Sequence, residues 1–239
     1  MATPRKKRKY EIRYDWLKFA QSYLGIALLA CDEMIKNKYK QPFPNPKEEV
    51  VKKYGLKPKL IDKYKIHILF LPALYNTKHG IEVFIKTLKK ILGNEILKDR
   101  DAHNTIKLFE KLKILVNEGH IKNVITEAKN TNPSDSNLPI AEEDLKNIKK
   151  YIGNLEELVL KYQRCDLMKG KIENDFEIED GDNTAFRYPE NSLKIQLNYE
   201  KILLKITKND VRKIRKDIEA LWENFNNLGF ILEIYSQYK

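Results

Sequence analysis

HGIEVFIKTLKKILGNEILKDRDAHNTIKLFEKL, residues 79–112, is the stretch on which the fold turns. Ile81, Phe84, Ile85, Leu88, Ile91 and Leu92 recur at spacings of three and four, the signature of one apolar helix face. Ile106, Phe109, Leu112 and Ile114 repeat the pattern after His103. Gly93 to Arg100 is short, so the two helices are expected to form an antiparallel pair. Each helix carries a histidine near its start.

The same periodicity extends to both sides. Trp16, Leu17, Ala20, Tyr23, Leu24, Ala27, Leu28, Cys31 and Met34 predict a long helix over Tyr14 to Lys38, with Gly25 as the place for a close helix neighbour. Pro42, Pro44 and Pro46 close it. Ile66 to Tyr75 reads either as a buried segment or as the first turns of the helix that carries His79. A further helix is expected over Ala141 to Tyr162, on Leu145, Ile148, Ile152, Leu155, Leu158 and Val159. The last follows Val211, Ile214, Ile218, Leu221, Trp222, Phe225 and Leu228, with Asn209 or Asp210 as its N-cap. The expectation is a mainly α helical bundle with long loops, and with one or two short strands near residues 174–206. It forms one domain over residues 14–239, behind a basic, disordered tail over residues 1–13. An exposed loop is expected near residues 130–139 and an acidic insertion near residues 173–182, where ENDFEIEDGD reads as a solvated loop.

Composition narrows the function classes. Of 239 residues, 42% are hydrophobic and 33% charged, and no apolar run approaches the length of a membrane span, so a soluble, cytoplasmic chain without membrane partner is expected. Cys31 and Cys165 stand far apart with no CxxC pair, which argues against a disulfide framework and a cysteine zinc site. The acidic stretch does not match a calcium loop, and neither metal nor cofactor is expected. The net charge of +11 favours anionic partners, although Arg5, Lys6, Lys7, Arg8 and Lys9 supply five of those charges. That run reads as a nuclear-import address, a nucleic-acid arm or a solvated tail.

His79, Glu82 and Lys86 fall at i, i+3 and i+7, on one side of a helix, with Glu82 and Lys86 spaced as a helix ion pair. The spacing by itself requires nothing more than a polar seam bordering the core, while the residue types would also suit an acid, a base and a phosphate contact. Lys201, Lys205, Lys208, Arg212, Arg215 and Lys216 recur every three or four residues and outline a basic stripe, diluted by Asp210, Asp217 and Glu219.

Three segments, His79–Ile81–Glu82–Lys86, His103 with Leu108–Phe109, and Phe186–Arg187–Tyr188–Pro189, carry a resemblance. Together they resemble bacterial and archaeal HEPN-like domain proteins, best over His79 to Leu112. The resemblance implies a helical bundle that dimerises, in a superfamily associated with RNA or nucleotide binding, toxin–antitoxin systems and defence. Active HEPN ribonucleases share an arginine four to six residues before a histidine. None of His67, His79, His103 or His120 has one, since Arg100 stands only three residues before His103. The resemblance thus implies a non-catalytic module that binds RNA or a nucleotide through His79, Glu82, Lys86, His103, Arg187 and Tyr188, and the basic stripe adds Arg212 and Arg215 as phosphate contacts. Two alternatives stay open: a divergent ribonuclease using His79 and His103 as acid and base, and a scaffold for a protein partner.

Overall fold

The computed structural model describes residues 4–36, 69–92, 103–117, 142–163 and 205–237, with side chains described over 16–36, 69–92, 103–117, 145–162 and 205–231. Among them are five helices: α1 (Pro4–Lys36), α2 (Phe70–Ile91), α3 (Thr105–Asn117), α4 (Glu142–Gln163) and α5 (Lys208–Gln237). The bundle is mainly α, as its periodicities predict, and the described residues hold no strand. The expected strands near residues 174–206 fall almost wholly outside the described residues, as do the loop at 130–139 and the acidic insertion at 173–182.

Helix α2 is the centre, packed against each of the other four. Its predicted face is buried from Ile81 to Leu92, and Phe84 stacks on Phe225 of α5 with ring centroids 3.6 Å apart. The helix starts at Phe70, so the apolar run before His79 supplies its first turns; Pro72 is tolerated because a first-turn amide has no intrahelical acceptor. Buried Thr77 and Thr87 donate their hydroxyls to the carbonyls of Ala73 and Val83, which satisfies them inside the helix.

Helix α1 buries Leu17, Ala20, Leu24, Ala27, Cys31 and Met34, the predicted stripe. It begins at Pro4, ten residues before the expected start, and so takes in the basic run assigned to a tail. Proline suits a first helical turn, and lysine and arginine are good helix formers. The close approach sits at Gly80 instead of Gly25: a Cβ at Gly80 would lie 3.1 Å from Leu24 and 3.2 Å from the Ala20 carbonyl oxygen. At Gly25 the nearest atom, on Trp222, is an ordinary 3.6 Å away.

One expectation for α3 changes. Its core face is Leu108, Phe109, Leu112, Leu115 and Val116, whereas Ile114 is 50% exposed. The start of the segment lies against α2, where His103 meets Glu82.

The start of α5 is fixed by a reciprocal cap. Thr207 Oγ1 accepts from the Asp210 amide at 3.3 Å and Asp210 Oδ2 accepts from the Thr207 amide at 2.7 Å. The cap is therefore Thr207, with Asp210 as its partner three residues in, instead of Asn209 or Asp210 alone.

Candidate functional site

Four of the residues singled out from sequence meet at one carboxylate. Glu82 is 2% exposed on α2. Its Oε1 accepts from Lys86 Nζ at 2.6 Å and lies 3.0 Å from His103 Nδ1, and its Oε2 lies 3.5 Å from His79 Nδ1. Helical spacing alone places His79 and Lys86 beside Glu82. His103 arrives from another element, and the reason is local. Asn104 Oδ1 accepts the Lys107 amide at 3.0 Å, capping α3 and fixing the residue before the cap against α2.

The two histidines have different surroundings. His79 is 18% exposed, edge-on to Tyr23 at 4.5 Å and stacked on Tyr75 at 5.7 Å. The approach of α1 at Gly80, the next residue, is what carries Tyr23 onto that ring. His103 is 60% exposed. In the tautomer that carries its proton on Nδ1, His103 donates to Glu82 Oε1 and turns Nε2 into an acceptor. Thus His79 is gripped by aromatics while His103 is presented.

A residue not singled out from sequence stands one turn beyond Lys86. Lys89 is 1% exposed, and its Nζ is buried without any hydrogen-bond acceptor. Burial, then the like charges of Lys111 and Lys86, hold its pKa below the usual 10.5. The signal was present in the spacing, since Glu82, Lys86 and Lys89 share one side of α2. No pattern in sequence announces that the lysine is enclosed.

The remaining candidates lie elsewhere. Arg187 and Tyr188 are outside the described residues. Arg212 is exposed on α5. Arg215 pairs with Asp32 of α1 through Nε and with Glu219 through Nη1 at 2.6 Å, so its charge ties α5 to α1. The acids expected to dilute the α5 stripe are partly drawn into structure: Asp210 caps the helix, and Asp217 takes Lys161 at 2.6 Å and the Tyr162 hydroxyl at 3.2 Å. Lys208, Arg212, Lys213 and Lys216 remain on the exposed face.

Among the described residues, no group of three or more histidine, cysteine or acidic side chains is arranged to hold a metal ion. Nor is any helix there long and apolar enough to cross a membrane. No family model matches the chain, and neither a curated protein nor a solved structure does.

Proposed function

We propose that this chain is an RNA- or nucleotide-binding module of the HEPN-like kind, and that His103, held by Glu82, is its principal polar contact. The observation that carries the reading is the convergence of His79, Lys86 and His103 on one buried carboxylate. A solvent-facing imidazole in a fixed orientation, with lysines along both flanking helices, suits phosphate oxygens and base edges better than it suits an apolar ligand. The exposed basic face of α5, with Arg212, offers further phosphate contacts, while Arg215 is assigned to the α1–α5 ion pairs. A homodimer in the cytoplasm belongs to the same reading.

The test is fluorescence anisotropy of a labelled single-stranded RNA titrated with the full chain over a range of salt. Affinity falls as salt rises, because each neutralised phosphate releases counterions. His103→Ala weakens binding about tenfold, the worth of one charge-assisted hydrogen bond. No binding at low salt by wild-type protein overturns the reading.

One observation favours a second reading, ribonuclease action. Both histidine rings approach Glu82, which places an acid and a base at one site. One imidazole would take the 2′-hydroxyl proton as that oxygen attacks phosphorus; the other would protonate the departing 5′-oxygen, leaving a 2′,3′-cyclic phosphate. Enclosure of His79 between Tyr23 and Tyr75 makes this the weaker reading. Incubating end-labelled RNA with the protein in chelator, beside His103→Ala, separates the two: cleavage lost in the variant favours the enzyme, and intact RNA favours the binding module.

A further inference from the structure

Lys89 is the one described side chain with a buried polar atom that reaches no partner. Buried amines are ordinarily paired, because an ammonium left without an acceptor loses its hydration and gains nothing in return. Here the surroundings aggravate the loss. Lys86 lies three residues before it on α2, and the charge of Lys111 on α3 also disfavours its protonation. The neighbouring carboxylate, Glu82, already accepts from Lys86 and His103. No described side chain supplies Lys89 with an acceptor.

We propose that Lys89, with Lys86 and Lys111, forms an oxyanion subsite that takes a phosphate group of the ligand, two turns along α2 from Glu82. A phosphate presents several acceptor oxygens to ammonium donors arriving from two helices, and its charge offsets lysines that otherwise repel one another. The flexible four-carbon stem of lysine lets its amine move to meet an anion. Burial and the two like charges lower the pKa of Lys89 in the free protein, and a bound anion acts in the opposite direction. The subsite deepens the RNA- or nucleotide-binding reading and rests on it for the identity of the ligand, though not for the anion chemistry.

Sulfate, which does not titrate near neutrality, is the probe. It is titrated calorimetrically into the full chain at low ionic strength, beside Lys89→Met and Lys111→Met, each checked for fold by circular dichroism. Lys89→Met keeps an unbranched apolar stem, so it preserves packing. The expected result is saturable sulfate binding to wild type, weakened at least tenfold in Lys89→Met and several-fold in Lys111→Met. Equal sulfate affinity in wild type and Lys89→Met, or no sulfate binding to wild type, overturns the subsite. Parallel RNA titrations separate it from the broader reading. RNA binding weakened by His103→Ala and untouched by Lys89→Met rejects the subsite and keeps the module. Sulfate binding that depends on Lys89, without any RNA binding, keeps the subsite and rejects RNA as the ligand.

Discussion

Two polar regions lie against the same apolar core, and they are built to different ends. At the junction of α1, α4 and α5, Tyr162 is enclosed and its hydroxyl donates to Asp217, which also takes Lys161, while Arg215 joins Asp32 to Glu219. Each of these charges has an opposite partner. At the α2–α3 seam, Glu82 gathers three nitrogen-bearing side chains, Lys89 reaches none, and His103 faces solvent. The junction closes its polarity between helices; the seam holds one amine without an acceptor and one exposed imidazole. Fully satisfied polar networks rigidify and specify a fold, and an unsatisfied buried group calls for an explanation of its own.

The largest effect tests whether the seam is also structural. Glu82→Ala strips the acceptor from half-buried Lys86 and from both histidines, and removing one member of a buried pair costs about 3–5 kcal/mol. Urea unfolding measures it; a loss below about 1 kcal/mol would show that the carboxylate contributes little to the fold and would set the seam still further apart from the junction. Gly80→Ala comes next. The added methyl meets Leu24 and the Ala20 carbonyl, and helices forced apart at such a contact lose about 1–3 kcal/mol. It also moves Tyr23 from His79, so the histidine ring resonances shift in an NMR spectrum; unchanged resonances would remove Gly80 from the account of the site.

Tyr162→Phe gauges the junction. It deletes one hydrogen bond, leaves Lys161 on Asp217, and costs about 1 kcal/mol in the same unfolding assay. A cost matching that of Glu82→Ala would erase the contrast between the regions. Smallest is Lys89→Met, which removes an unsatisfied buried amine and raises stability by up to about 1 kcal/mol.

Its pH dependence is more telling than its size. The folded state holds Lys89 below its ordinary 10.5, so the unfolded chain binds that proton more readily. This contribution to stability is complete above pH 10.5 and is lost as pH falls through the lowered pKa. Lys89→Met removes that slope. Cys31 acts in the opposite sense: burial, chiefly, pushes its thiol up from 9.0 to about 12, so stability present below pH 9.0 is lost as pH rises toward 12. Stability measured against pH in wild type, Lys89→Met and Cys31→Ala separates the two arms, and a Lys89→Met curve that runs parallel to wild type throughout the fall from pH 10.5 contradicts the lysine's assignment.

Much of the bundle was legible from apolar spacing. The buried stripes of α1, α2 and α5 follow directly from residues such as Leu24, Phe84 and Leu221, because a helix that must hide one face repeats its apolar side chains every three or four positions. The register of α3 was less legible: Ile106 and Leu108 both fit a helical face, and only the packing of Leu108 against the core chose between them. The capping threonine before α5 was missed because Asn209 and Asp210 have equal intrinsic merit as caps, and the reciprocal bond between Thr207 and Asp210 decides the matter.

The site divides in the same way. That His79, Glu82 and Lys86 share a face was determined by the sequence, since helical spacing is a property of the local backbone. That His103 joins them, that Arg215 is tied to Asp32 and that Lys89 is shut away from every acceptor were decided by tertiary structure alone. The physical reason is that burial and pairing depend on which surfaces of distant segments meet. Local periodicity names the face a helix will bury, but it does not name the partner or the direction in which that partner runs.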